Sequence, residues 1–183
     1  ILVNVTTPGV RIESANPTLT LTDINATSSS WQITLTNTAL LSTNASISPT
    51  GVTNPDGNSE SWYVGLDEID FELNGQEGAL INVTLAHPEG PNPGIYLINL
   101  LGIDEDNGVS SPYTLLLDVP ILSQTRIEID YAVIPVHPSE PTSVDVRLFN
   151  LGNDDLGYDL FLEAPPGWHA GFDDLSSQGG ANS

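Results

Sequence analysis

Apolar and polar residues alternate with a period of two through much of the chain. The segments 31–37, WQITLTN, and 79–86, ALINVTLA, are clear examples. This period is that of a β-strand with one buried face. No stretch of ten or more residues has the 3.6-residue apolar period of an amphipathic helix. The pattern therefore predicts an all-β fold.

Turn-forming residues divide the pattern into short strands. Between residues 10 and 119, strands are predicted over Val10–Glu13, Thr18–Thr22, Trp31–Asn37, Ala45–Ser48, Ser61–Val64, Ile69–Leu73, Ala79–Ala86, Gly94–Gly102 and Tyr113–Val119. Residues 49–61 read as a loop, and Asn74-Gly75 is predicted to turn the chain because this pair favours positive φ. Many short strands with this spacing are typical of a β-sandwich.

One pattern near the start of the chain recurs near its end. Arg11-Ile12-Glu13 returns 115 residues later as Arg126-Ile127-Glu128, and an alternating strand that ends at Asn37 returns with its end at Asn150, 113 residues later. A unit of about 114 residues is a normal size for a β-sandwich, so the chain is predicted to contain tandem sandwich domains.

The repeat sets the expected domain boundaries. Residues 1–8 are expected to be the last strand of a preceding repeat or a donor strand, residues 9–120 a complete sandwich, and residues 121–183 the first half of a second one. In that half, further strands are predicted over Tyr158–Glu163 and Trp168–Phe172. A half-sandwich exposes apolar surface and strand edges. Either the chain is a window of a longer array, which we favour, or neighbouring subunits add the missing strands.

Composition narrows the function. The 183 residues include 24 acidic side chains against three arginines and no lysine, for a net charge of −21. Nucleic acid is excluded as a partner because binding phosphates requires a cationic surface. The acidity suits a salty medium or bound cations, and simple solubility of an exposed surface protein explains it equally well. Cysteine is absent, and no run of 18 apolar residues predicts a membrane-spanning segment.

The sequence contains two kinds of candidate site, one for glycosylation and one for calcium. Asn-x-Ser/Thr sequons lie at Asn4, Asn25, Asn44 and Asn82, and they are glycan acceptors in a chain that crosses a glycosylating membrane. Asp104, Asp106 and Asn107 place several oxygen donors in one loop, as calcium prefers. The alternative for that loop is a solvated hairpin turn, and the spacing is not that of an EF-hand. No cofactor is required by any motif.

Catalytic motifs are not apparent. His87, His137 and His169 lie far apart in sequence, and no Gly-x-Ser-x-Gly motif is present. The aromatic residues are expected to be structural: Trp31 and Tyr96 in the first core, and Phe149, Tyr158 and Trp168 in the second. The chain is therefore not expected to be an enzyme.

The segment Val144–Trp168 resembles a known group of domains. Its alternating strand, Asn-x-Gly-Asn turn, second alternating strand and Pro-Pro-Gly-Trp ending are similar to the NPCBM-associated Ig-like domain, found beside glycosidase modules and in prokaryotic surface proteins, and to related cell-adhesion domains of bacterial and archaeal exoproteins. Pro93-Gly94-Ile95-Tyr96 also fits, since such domains have Pro-Gly-x-Tyr before a late strand. The resemblance implies tandem Ig-like (fibronectin-like) β-sandwich domains and no shared catalytic residues.

These observations favour a mechanical role. We expect an extracellular protein on the cell surface of a prokaryote, with an archaeon favoured, that forms a stalk, sheath, S-layer or filament. Its partners would be other copies of itself or neighbouring repeats, through strand edges. The alternative is a non-catalytic spacer or carbohydrate-binding module of a secreted hydrolase. A lectin would require exposed aromatic residues in a groove.

Overall fold

A computed structural model describes residues 9–130 and 140–172. The chain divides into two compact units, Ile1–Ile121 and Leu122–Ser183, which are treated separately below. The prediction of an all-β fold is confirmed, because the described residues form strands, turns and loops and include no helix. The strand expected within residues 1–8 lies outside the described residues.

Unit 1 contains ten strands. They are β1 Val10–Glu13, β2 Thr18–Thr20, β3 Ser28–Asn37, β4 Thr43–Thr53, β5 Ser59–Glu60, β6 Tyr63–Leu66, β7 Asp70–Leu73, β8 Gly78–Ala86, β9 Gly94–Asp104 and β10 Val109–Val119. One sheet has the order β1-β3-β8-β6. The other has the order β2-β10-β9-β4, with β5 and β7 both pairing with β4. Only the β2–β10 pair is parallel among these ladders.

The core lies between the two sheets, where the inward residues of the period-two pattern meet. In β3, every second side chain from Ser29 to Asn37 is buried, as the sequence alternation predicts. The fully or almost fully buried side chains come from both sheets; they include Ile33, Leu35, Ile81, Leu85, Ile98, Leu100, Leu115 and Leu117. Burial of one side chain of this size contributes about 1.5–3 kcal/mol relative to its exposure.

One predicted turn joins the two sheets and does not form a hairpin. Asn74-Gly75 lies between β7, which pairs with β4, and β8, which pairs with β3 and β6. The turn packs against the loop after β3, and a Cβ at Gly75 would lie only 2.1 Å from the backbone oxygen of Leu40. Glycine is thus required here by close backbone approach, while the residue with positive φ is Gln76.

Strand β4 is longer than predicted. Residues 49–53, expected to be loop, continue the strand, and its register against β9 shifts between Pro49 and Gly51, so that Thr50 has no cross-strand partner. This is a β-bulge, which tolerates proline because the ladder is interrupted there. Gly51 has φ of 142°, a conformation that other residues rarely adopt. Ser61 and Trp62 then carry the chain from β5 to β6 in the other sheet.

Unit 2 has one described sheet of two antiparallel strands, β11 Thr125–Ile129 and β12 Val146–Asn150. The prediction of strands over Tyr158–Glu163 and Trp168–Phe172 is wrong, because these described residues do not pair with another strand. Alternation alone does not make a strand, because its backbone N–H and C=O groups need a neighbouring strand.

The β1–β3 and β11–β12 pairs have the same register. Val10 faces Asn37 and Ile12 faces Leu35; Thr125 faces Asn150 and Ile127 faces Leu148. The backbone hydrogen bond from Thr38 N to Gly9 O, at 2.9 Å, is matched by one from Leu151 N to Gln124 O, at 2.8 Å.

The asparagine that ends each second strand also makes the same hydrogen bonds. Asn37 Oδ1 accepts from the backbone N–H two residues on, and its Nδ2 donates to the carbonyl four residues on. Asn150 makes the same two contacts, with Gly152 N at 2.9 Å and Asp154 O at 2.7 Å. Both are Asx-type turns that close the end of a strand.

Candidate functional sites

The candidate calcium loop connects β9 to β10 and is closed by its own hydrogen bonds. Asp104 is fully buried, and its carboxylate accepts from Thr43 Oγ1 at 2.6 Å and from both the backbone and side-chain nitrogens of Asn107. The Asp106 carboxylate accepts from Asn44 N at 2.9 Å and from Asn44 Nδ2 at 3.2 Å. The two carboxylates thus tie the loop to the start of β4.

The pKa values of both carboxyl groups reflect these contacts. Burial raises the pKa of Asp104, but the hydrogen bonds from Thr43 and Asn107 outweigh burial, and the net pKa lies below its ordinary value of 3.8. Hydrogen bonds from the backbone and side chain of Asn44 lower the pKa of Asp106. Both groups are therefore ionised near neutral pH and act as acceptors.

A metal ion would need these oxygens as ligands. Around the described part of the chain, no group of three or more His, Cys, Asp or Glu side chains is arranged to hold one. Asn107 presents its N–H groups to the Asp104 carboxylate, whereas a ligand to calcium would present its oxygen. In this structure the arrangement serves loop closure.

The described sequon asparagines are all exposed. Asn25 lies in the turn before β3, Asn44 at the start of β4 and Asn82 in the middle of β8; Asn4 lies outside the described residues. Asn82 Nδ2, the atom that a glycan would modify, donates to Asp67 Oδ2 at 2.6 Å, and Asn44 Nδ2 donates to Asp106. Asn25 Nδ2 also donates to Asp23 Oδ1, at 3.5 Å. Solvent can reach the three side chains, and each of them is paired with a carboxylate.

The predicted core aromatic residues have two different environments. Trp31 and Tyr96 are buried in unit 1, with exposed fractions of 5% and 3%. Phe149 is half-buried beneath the Arg126 guanidinium, whereas Tyr158 and Trp168 are exposed by 39% and 57%. The expectation of a second core around the last two is therefore not met, because the described residues of unit 2 provide only one sheet and no second apolar face to enclose them.

A serine–histidine pair was missed from the sequence because 58 residues separate its members. Ser29 Oγ lies 3.2 Å from His87 Nε2, and His87 Nδ1 lies 3.0 Å from the carbonyl oxygen of Pro88. The carbonyl can only accept, so Nδ1 is the donor in this contact, and in the corresponding neutral tautomer Nε2 accepts from the serine. Both side chains are only 5% exposed, so the pair is closed to a substrate and joins the ends of β3 and β8.

A shallow groove lies beside the bulge of β4. It has a volume of about 450 Å³ and is lined by Pro49, Thr50, Gly51, Ser61, Trp62, Tyr63 and Val64. One face of Trp62 stacks on Tyr96, with ring centroids 4.4 Å apart, and Tyr63 is 72% exposed. No lining residue is charged. Sequence reasoning missed this groove because it depends on the bulge and on the crossing of residues 61–62 between sheets.

The three arginines of the chain are all paired. Arg11 lies 3.0 Å from Glu13, Arg126 lies 3.1 Å from Glu128, and Arg147 lies 3.8 Å from Asp130. These pairs are exposed and contribute little to stability, but each cation has a carboxylate neighbour.

The described residues include no helix that is long and apolar enough to cross a membrane.

Known proteins share only a distant likeness with this chain. No protein-family model matches the chain, and no curated protein sequence matches it significantly. The solved structures that it resembles include Ig-like, PapD-like β-domains.

Three of these structures are described here. The ASH/PapD-like domain 7 of human CEP192 is 14% identical with a TM-score of 0.40, over 61% of this chain and 83% of that one. A FixG-related protein from Vibrio parahaemolyticus is 12% identical with a TM-score of 0.41, over 62% and 97% of the two chains. The E. coli chaperone DraB is 16% identical with a TM-score of 0.39, over 60% and 55%. Such likeness concerns the fold alone.

Proposed function

We propose that this chain is a structural component of an extracellular assembly on a prokaryotic cell surface, such as a stalk, sheath, S-layer or filament, built from tandem Ig-like units. One observation carries the proposal: the chain builds the same strand pair twice, with the same register and the same asparagine turn. The register, the backbone bond and both side-chain bonds recur together, and this joint recurrence supports one repeated unit. A chain of repeated units is extended along one dimension.

The exposed face of β11–β12 supports contact with further units. Ile127 is 62% exposed, whereas its counterpart Ile12 in unit 1 is 4% exposed. Likewise Val146 is 60% exposed and its counterpart Ile33 is 1% exposed. In unit 1 this face packs on β9, where a Cβ at Gly102 would lie within 3.2 Å of both Ile12 and Leu35. The corresponding face of unit 2 therefore fits an apolar β-sheet of another unit or copy.

The rest of the molecule agrees with an extracellular location. The described sequon asparagines are exposed, and the charge of −21 keeps free surfaces apart. In the β11–β12 sheet, strand alternation places Arg126, Arg147 and Glu128 on the face opposite Ile127 and Val146, so the strand residues on the face proposed to pack are uncharged. The resemblance to NPCBM-associated and cell-adhesion domains points in the same direction.

The proposal is tested by asking whether the native protein lies on the cell surface and forms ordered assemblies. We expect surface labelling of intact cells by an antibody against unit 1, and ordered arrays or fibres in gently extracted material viewed by electron microscopy. The variant Val146→Asp places a charge on the apolar face and should reduce the assembled fraction strongly. The matched variant Ser123→Asp adds the same charge at an exposed position outside β11 and β12 and should assemble normally.

Two outcomes would overturn the proposal. The first is native protein that is free in the medium as single, unassembled chains, with no labelling of cells. The second is equal assembly of the Val146→Asp and Ser123→Asp variants, because the apolar face would then make no contact.

A further inference from the structure

We propose that the groove beside the β4 bulge, lined by residues 49–51 and 61–64, binds a neutral carbohydrate chain. This inference does not depend on the structural role proposed above. It rests on the backbone geometry of the bulge, the aromatic surfaces and the absence of charge in the groove.

The bulge is the first component of the site. Thr50 is the extra residue of β4 and has no partner in the register with β9, so that its position in the ladder is interrupted. Gly51 follows with a φ of 142°, and a Cβ at this position would meet no atom within 4 Å. Glycine is therefore used here for its backbone conformation and not to avoid a steric clash. Bulges are over-represented next to active sites, where they redirect a side chain.

The aromatic side chains are the second component. Trp62 stacks on Tyr96 at a centroid distance of 4.4 Å, and the His87 ring is tilted by 43° to it at 5.8 Å. Tyr96 is in turn fixed by a hydrogen bond from its hydroxyl to Asn92 O at 3.1 Å. Beside this rigid indole, Tyr63 is 72% exposed, and its ring lies along Gly65, where a Cβ would be 3.2 Å away. Flat apolar surfaces held in this way suit the C–H faces of a sugar ring.

The charge distribution selects the class of ligand. The groove is lined by two hydroxyl side chains, two aromatic rings, proline, glycine and valine, in a protein that carries 24 carboxylates. No lining residue has a positive charge that could attract an acidic sugar or a phosphate. None has a carboxylate that could attract a cationic ligand. A neutral ligand with both hydroxyl groups and apolar faces fits the lining, and a hexopyranose chain has that chemistry.

The test uses protein produced without glycans, so that a sugar on Asn44 or Asn82 cannot occupy the groove. Cellohexaose and chitohexaose are added as neutral probes and hexagalacturonate as an acidic one, and binding is followed by NMR at the Trp62 indole N–H and the Gly51 amide. We expect saturable shifts of both signals with a neutral probe at a Kd of about 1 mM or tighter. We expect no shifts with hexagalacturonate.

Two variants locate the site. Tyr63→Ala, at an exposed side chain, should weaken binding at least about tenfold without loss of the fold. Trp168→Ala removes an exposed aromatic residue elsewhere and should leave binding unchanged. The proposal is overturned if neither neutral probe shifts the groove signals, if hexagalacturonate binds equally well, or if Trp168→Ala and not Tyr63→Ala abolishes binding.

Discussion

At the scale of single residues, Asn37 is a buried polar side chain that joins separate parts of unit 1. It is fully buried, its Nδ2 donates to the carbonyl oxygens of Leu41, Leu73 and Asn74, and its Oδ1 accepts from Ala39 N. One side chain thus fixes the loop after β3 against the turn between β7 and β8. Its counterpart Asn150 makes only the local part of this network among the described residues and is exposed.

The two asparagines therefore form a matched pair for mutation. Asn37→Ala should lower the free energy of unfolding by about 3 kcal/mol, because several buried backbone groups lose their partners. Asn150→Ala should cost about 1 kcal/mol or less, since water can replace its hydrogen bonds. Urea unfolding of unit 1 and of unit 2 measures both. Similar costs for the two variants would contradict the role given to burial.

Asp104 predicts a pH dependence of stability. Its pKa is below 3.8 in the folded protein, so its contribution is fully present above about pH 4 and is lost as the pH falls through the folded-state pKa. Thr43→Val removes one donor and raises the folded-state pKa toward the ordinary value. The unfolding free energy of this variant should fall less steeply below pH 4 than that of the wild type. An unchanged pH profile would show that the Thr43 bond does not hold the carboxylate.

At the scale of elements, close approach of backbones decides where glycine is needed. A Cβ at Gly75 would overlap the backbone of Leu40, whereas a Cβ at Gly65 would meet only the exposed ring of Tyr63, at 3.2 Å. Gly75→Ala should therefore destabilise unit 1 by more than about 3 kcal/mol, and Gly65→Ala by less than about 1 kcal/mol. Thermal unfolding compares them. Equal melting temperatures would show that the β7–β8 turn can move away from the β3 loop.

The strands also show which structural features the local sequence pattern can predict. The alternation in residues 28–37 correctly gave a strand with one buried face, because period two follows from backbone geometry alone. The same alternation in Tyr158–Glu163 gave no strand, because a ladder needs a partner. Pro49 was interpreted as the start of a loop, yet β4 passes through it by means of a bulge that no local signal announced.

At the scale of the whole molecule, charge is the dominant feature. With a net charge of −21, the folded chain repels itself, and salt screens that repulsion, with a Debye length of about 3 Å at 1 M. Raising NaCl from about 0.05 M to 1 M should increase the melting temperature by about 5 °C. An unchanged or lower melting temperature would show that the carboxylates do not oppose folding.

Calcium provides the control for that experiment. Since Asp104 and Asp106 already accept hydrogen bonds from Thr43, Asn44 and Asn107, CaCl₂ should act only through ionic strength and match NaCl once this is equalised. An additional rise in melting temperature that disappears in Asp106→Asn would show that the loop holds the ion after all.

The sequence by itself determined the all-β class, the acidic surface and the recurrence of one strand pair, because period two, charge and repeated motifs are written in local order along the chain. Only the tertiary structure decided which strands pair, that Asn74-Gly75 crosses between sheets, that Ser29 meets His87, and that Trp62 and Tyr63 lie beside a bulge. These features join residues distant in sequence, and burial of a shared core selects among strand arrangements that local pattern leaves equivalent.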